Sequence, residues 1–288
     1  MPLKSPSNSQ QTKVVTLKET FKAEPIHLVP ILASLIFGIL CAYLMIESQI
    51  DFYQVTPFPE GVGSLGNGLY FVILAGVGAS LLYLLLKRKS YKLVSVITGV
   101  ALTVAVFMLS TVYLYAVFST FLFPYVDVVI LILSTSATVL ADFIVFRTHS
   151  PAAGLVVLLI GGALGAFLGI MIPTISTILI LGFLAVYDVF AVFRGPVGKI
   201  AQGGLEQLRG LSISFKDVQM GLGDLTFYAM LVSRVLASAG PIYCLGSTAG
   251  VLIGVFLAFK MLEKKGMFPG LPFSIALGLV PLLISLFI

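Results

Sequence analysis

Long apolar stretches separated by short polar breaks set the pattern of this chain. Nine such runs lie between charges, prolines and glycines, at about 28–46, 68–86, 93–118, 126–146, 152–172, 174–193, 222–239, 242–262 and 271–288. Each is close to the roughly 20 helical residues that a ~30 Å hydrocarbon layer requires. Their apolar character is continuous rather than alternating, which selects helices over a membrane barrel. The pattern predicts an all-α polytopic membrane protein with nine transmembrane helices. At Ile172-Pro173-Thr174 the fifth and sixth runs nearly fuse. A proline there kinks one helix as readily as it separates two, but roughly 40 apolar residues need two passages.

Composition agrees with this reading: 59% of the 288 residues are hydrophobic and 10% charged, which excludes an ordinary soluble domain. Residues 1–27 are polar and contain Lys4, Lys13, Lys18 and Lys22, with no apolar core followed by a small-residue cleavage site. They read as a short mobile tail rather than a cleaved signal peptide. Cys41 and Cys244 fall in separate apolar runs, with neither metal-ligand nor disulfide spacing, and read as packing residues.

The net charge of +5 matters less than where the charges lie, and it marks a membrane face rather than a nucleic-acid partner. With a cytoplasmic amino terminus, the tail, the connection at 87–92, Arg147, the loop with Arg194, Lys199, Arg209 and Lys216, and finally Lys260, Lys264 and Lys265 share one side. Of 17 basic residues only Arg234 lies elsewhere, inside the seventh run, while the opposite connections carry Glu47, Asp51 and Glu60. This bias puts the amino terminus in the cytoplasm and the carboxyl terminus outside. The expected organisation is a cytoplasmic tail at 1–27, six segments within 28–193, a cytoplasmic loop at 194–220 and three segments within 221–288. No repeated block or low-complexity tract interrupts it. Gly161, Gly165 and Gly169 in the fifth segment, and Gly246, Gly250 and Gly254 in the eighth, recur every fourth residue and predict close intramolecular helix packing.

Two acids stand out against this background. Asp188 follows Tyr187 near the end of the sixth run, and Asp224 closes Gly221-Leu222-Gly223-Asp224 at the start of the seventh. A carboxylate inside a bilayer is costly and marks a functional site with a partner. Asp188 lies about 9 Å inside Arg194 at 1.5 Å per residue, and Asp224 lies just inside the same face, so two antiparallel helices bring both to similar depth. Two carboxyl groups at close range share a proton: one acts as general base on a water while the other donates to a substrate carbonyl. That pairing hydrolyses amides without metal or cofactor, with a bell-shaped pH profile belonging to the pair. Gly221 and Gly223, lacking side chains, let an extended substrate backbone approach Asp224. A Gly-x-Gly-Asp arises by chance in roughly one such chain in twenty, so its position carries the argument.

These residues, followed by Pro269-Gly270-Leu271-Pro272 at the start of the last segment, resemble the presenilin and signal peptide peptidase family of intramembrane aspartyl proteases. The resemblance covers most of the chain, because that family also has nine membrane segments with its aspartates in the sixth and seventh. It implies that Asp188 and Asp224 are the catalytic pair, with Tyr187, Gly221, Leu222 and Gly223 supporting the site or substrate. It further implies that Pro269, Leu271 and Pro272 match the family's Pro-Ala-Leu element, which lies beside the active site and supports substrate binding. Gly270 stands where that element has alanine. A cytoplasmic amino terminus is similar to the presenilin branch and implies substrates that are transmembrane helices with their amino termini outside. The small size and short loop look like a microbial, archaeal homologue in the plasma membrane. A prepilin-peptidase-type protease also uses Gly-x-Gly-Asp but lacks the preceding Tyr-Asp and the proline-rich element. The same acids also suit a proton- or cation-coupled transporter, against which stand their off-centre depth and the absence of internal symmetry.

The other polar residues carry blander expectations. Asp142 reads as an interfacial or locally paired acid, and Arg234 as a side chain that snorkels or pairs with an acid. His27 and His149 have no second ligand at helical spacing. Residues 197–208 have helical apolar spacing suited to the membrane surface. Leu211-Ser212-Ile213-Ser214-Phe215 alternates and suits a strand, with an irregular loop expected at rest. A sharper expectation is that this strand pairs with an unfolding substrate above Asp224, so that Ile213→Pro reduces cleavage without disturbing the fold.

Overall fold

A computed structural model describes residues 22–48, 54–118, 125–148, 151–194, 210–216, 218–265 and 268–287. Its helices are α1 (Val29–Glu47), α2 (Ser64–Lys87), α3 (Tyr91–Phe118), α4 (Val126–Asp142, continued by a π-helical turn Phe143–Arg147), α5 (Pro151–Met171), α6 (Thr174–Phe193), α7 (Leu222–Ala239), α8 (Pro241–Lys265) and α9 (Leu271–Ser285). The first eight are long and apolar enough to cross a membrane, and α9 is a shorter apolar helix. Pro173 is the extended N-cap of α6 (φ −60°, ψ 158°), so the fifth and sixth runs are two helices.

The core is built around α5 and α7. Leu231, Val232 and Val235 on α7 are wholly buried, whereas α2, α3 and α4 leave rows of apolar side chains such as Leu69, Ile73, Val100, Val104 and Leu131 uncovered. In a bilayer, lipid tails cover such a surface at no hydrophobic cost. Glycine decides which helices touch most closely. A Cβ on Gly165 would meet the Thr226 carbonyl and lie 2.5 Å from Ala229 Cβ, and one on Gly169 would lie 2.5 Å from the Met230 carbonyl. On α8, a Cβ at Gly254 would stand 2.5 Å from the Phe273 carbonyl on α9, and one at Gly250 would meet that of Leu277. Both predicted glycine faces are therefore intramolecular seams, α5 on α7 and α8 on α9. Cys41 and Cys244 are buried free thiols within this packing.

Polar residues away from the aspartates are tied across elements. Asn67, fully buried, bridges the chain ahead of α2 to α6: its Nδ2 donates to the Phe58 carbonyl and to Ser176 Oγ, both at 3.0 Å, and its Oδ1 accepts the Phe58 N–H. Thr103 Oγ1 donates to Asp142 Oδ2 at 2.7 Å. Arg234 Nη1 donates to the Ile172 carbonyl at 3.1 Å, with the Glu60 carboxylate within electrostatic reach.

Two expectations change. The end of the polar tail is packed: Ala23 N–H donates to Glu263 Oε2 on α8, and His27, 2% exposed, lies edge-on to Phe259. The reason is local, since Glu24 N–H donates to His27 Nδ1 and closes a 3-10 turn at Pro25–Leu28 that points the imidazole inward. Residues 1–21, like the amphipathic stretch at 197–208 and His149, lie outside the described residues. The irregular loop expected around 211–215 is instead strand β1 (Ser212–Phe215), paired antiparallel with β2 (Val218–Gly221) in the register Ser212↔Gly221, Ile213↔Met220, Ser214↔Gln219 and Phe215↔Val218. Val218-Gln219-Met220 alternates as β1 does and gives it a partner, and Ile213, Val218 and Met220 bury the same face. Lys216 begins the reversal with φ +50°.

Candidate active site

Each aspartate is delivered by a helix end. Asp188 lies in the last turns of α6, and Asp224 in the first turn of α7, where the helix dipole favours a negative group. Gly221 ends β2 and serves as the extended N-cap of α7 (φ −76°, ψ 144°) without offering a side chain. Leu222 N–H donates to the Leu211 carbonyl at 2.8 Å, so the hairpin ladder runs directly into the turn that carries Asp224.

Asp188 meets the start of α9. Leu271 N–H donates to Asp188 Oδ2 at 3.0 Å, and the Gly270 amide faces the same carboxyl. The local sequence explains why. Gly270, the N-cap, has no side chain to accept an orphan amide, and Pro272 has no amide to orphan. The N1 amide of Leu271 is one of the orphan donors of the helix start, and its acceptor comes from α6. Asp224 reaches the same turn from the other side, since a Cβ on Gly270 would lie 3.5 Å from its Oδ2. The two carboxyl groups thus converge on the Gly270–Leu271 peptide, close enough to act on each other electrostatically. α9 thus begins beside the two aspartates.

The remaining predicted residues divide. Pro269 and Leu271 are buried beside the pair, and Pro272 is half-buried in the first turn of α9. Leu222 turns away, its Cδ1 placed 3.2 Å from where a Cβ on Gly161 would stand. Tyr187 lies against Gly76 on α2, because consecutive residues of a helix leave different faces. Gly221 and Gly223 both lack positive φ, and a Cβ on either would find its nearest neighbour at 3.8 or 3.9 Å, an ordinary contact. Neither backbone conformation nor internal crowding calls for glycine there, so the missing side chains leave room next to Asp224. Tyr228 and Ser274, which belong to no motif, also reach the site. Tyr228, 3% exposed, would have been flagged by its four-residue spacing from Asp224, and Ser274 by the same spacing from Gly270.

Solved structures carry the same arrangement of helices. Two crystal forms of a presenilin family intramembrane aspartate protease, in space groups C222 and P2, superpose with TM-scores of 0.65 and 0.64. They cover 91% and 90% of this chain and 98% and 97% of theirs, at 18% and 19% sequence identity. The chain has the presenilin fold. In sequence, Presenilin-B of Dictyostelium discoideum is 37% identical over 122 residues, which amount to 37% of this chain and 24% of that protein. The matched stretch thus spans about a quarter of that relative. No protein-family model matches the chain. In this presenilin fold α6, α7 and α9 are the helices whose ends meet, and they hold every polar group of the site just described.

Proposed function

We propose that this multi-pass membrane protein is an intramembrane aspartyl endopeptidase that hydrolyses peptide bonds of transmembrane helices. The observation that carries the reading is the convergence of Asp188 and Asp224 on one peptide at the start of α9, beside the side-chain-free backbone at Gly221 and Gly223. The pair shares one proton. The ionised member takes a proton from a water, whose oxygen adds to the scissile carbonyl, while the protonated member donates to the carbonyl oxygen. The gem-diol adduct then collapses: the first carboxyl gives its proton to the departing nitrogen as the C–N bond breaks, and the second takes back a hydroxyl proton as the carbonyl re-forms, giving a free acid, a free amine and the singly protonated pair. Leu271 N–H fixes the Asp188 carboxyl, and Pro269, Gly270, Leu271 and Pro272 form the wall beside it.

A helical substrate must unwind before its carbonyl is reachable. In the antiparallel register, Ile213 and Phe215 bond to β2, so Ser212 and Ser214 direct their N–H and C=O groups to the outer edge. That edge has no strand partner among the described residues, and an extended substrate adds there as a third strand leading to Asp224. The lysine and arginine bias supports a cytoplasmic amino terminus, a cytoplasmic site and substrates with their amino termini outside, in the plasma membrane of a microbe.

The decisive experiment is reconstitution with a panel of tagged single-helix substrates of both orientations. Wild type is expected to cleave, and Asp188→Asn and Asp224→Asn are each expected to lose all turnover while keeping the wild-type unfolding temperature. Cleavage by either purified variant refutes the dyad. A protein that moves protons or cations across the vesicle but cuts nothing is a transporter instead.

A further inference from the structure

The phenol of Tyr228 has no part in the chemistry above, yet it stands inside the site. Tyr228 follows Asp224 by four residues, so both leave one face of α7. Long side chains on a helix lean toward its amino end, which carries the phenol back to the depth of the carboxyl. Its hydroxyl reaches the Ser274 hydroxyl. Ser274 Oγ in turn donates to the Gly270 carbonyl at 2.8 Å, and the next amide, that of Leu271, donates to Asp188. A continuous path therefore runs from the helix carrying Asp224, through Tyr228, Ser274 and the Gly270–Leu271 peptide, to Asp188. Gly270 makes that path fit. A Cβ there would stand 3.1 Å from the Tyr228 oxygen, closer than such atoms ordinarily settle, so the hydroxyl of the buried ring would have to shift by a few tenths of an ångström.

We propose that Tyr228 is a positioning residue that sets Asp188 against Asp224 by tying α7 to the first turn of α9, and that Gly270 is the matched half of this contact. The proposal rests on the dyad reading, which it deepens. It gives the glycine a reason: a methyl at this place would press on the phenol that aligns the pair.

The test uses Tyr228→Phe, Ser274→Ala, Gly270→Ala and the doubles Tyr228→Phe/Ser274→Ala and Tyr228→Phe/Gly270→Ala in the full chain, reconstituted with a cleavable helix. Tyr228→Phe keeps the ring that fills the core and should lower kcat about tenfold, the worth of one hydrogen bond, with KM within about twofold. Ser274→Ala should reproduce that effect, and the Tyr228→Phe/Ser274→Ala double should be no worse than either single. Gly270→Ala alone should also lower kcat about tenfold, and should cost nothing further on top of Tyr228→Phe, because contacting pairs are non-additive. Unchanged kcat in Tyr228→Phe, a loss confined to KM, or losses that multiply for Gly270→Ala and Tyr228→Phe would overturn the proposal. If wild type cleaves no helix, the proposed activity fails by itself, and the contact is read from unfolding temperatures. Gly270→Ala should then lower Tm alone but not in the Tyr228→Phe background, and additive shifts would overturn it.

Discussion

Replacing Gly165 by alanine should injure both stability and turnover, although the residue touches neither aspartate. The added Cβ would lie 2.5 Å from Ala229 Cβ and 2.8 Å from the Met230 nitrogen, and closer still to the Thr226 carbonyl. Carbon pairs rest at about 3.5–4.0 Å, and these neighbours are backbone or the first atom of a side chain, so no rotamer change relieves them. α5 and α7 must part by about 1 Å, and overpacking of this kind costs about 1–3 kcal/mol. Because α7 carries Asp224, the same displacement reaches the site, where a misplacement of about 1 Å lowers a rate by about 10²-fold. The assay is thermal unfolding in detergent together with kcat per folded molecule. The control is Gly78→Ala on α2, where a Cβ meets nothing within 4 Å. Alanine is favoured over glycine in a helix by about 1 kcal/mol, so the control should match or exceed wild-type Tm with unchanged kcat. Wild-type Tm and kcat in Gly165→Ala would refute the argument that this seam positions Asp224.

Proline separates the two faces of β1. Ser214→Pro removes an amide from the outer edge and should reduce substrate cleavage several-fold at unchanged Tm, whereas Ile213→Pro breaks a ladder bond and a buried contact and should lower both. Equal cleavage by Ser214→Pro and wild type would remove the edge from substrate binding. Asn67→Ala strands the Phe58 N–H and C=O groups and should destabilise by at least about 2 kcal/mol in denaturant titration, while kcat per folded molecule stays near wild type. For the wild-type protein, kcat/KM should follow a bell-shaped pH profile whose two limbs belong to the pair, and a profile with one limb would argue against a shared proton.

Much of this was legible in the chain because membrane segments obey a single dominant constraint. Continuous apolar runs, the glycine faces and the antiparallel placement of Asp188 and Asp224 all follow from local spacing. What escaped was tertiary. Nothing near Gly270 in sequence says that its amide and that of Leu271 turn toward an aspartate on α6, because the acceptor is 83 residues distant. Tyr228 sits in an apolar helix where its ring satisfies the hydrophobic pattern and hides its hydroxyl. The hairpin is half visible: residues 211–215 alternate, but an isolated strand is not stable, and Val218-Gln219-Met220 is too short to mark its partner before the Gly-x-Gly-Asp motif begins. The packed end of the tail was missed for a related reason, since polarity at Ala23–His27 says nothing of Glu263 and Phe259 waiting on α8.

The bond between Asp188 and the first amide of α9 has a mechanical consequence. α7 is clamped to α5, and α9 to α8, by backbone-to-backbone seams that leave no slack. α6 meets the glycines of α2 mainly through the side chains of Phe183 and Tyr187 and leaves Val186, Val189, Phe190 and Phe193 uncovered. Its site end is therefore held to the start of α9 chiefly by the amides of Leu271 and Gly270 on a single carboxyl, that of Asp188. A molecule offering Leu271 a better acceptor than Asp188 would free α6 from α9 at that point, and under the proposed activity that amide is a handle for inhibitors unlike peptide mimics.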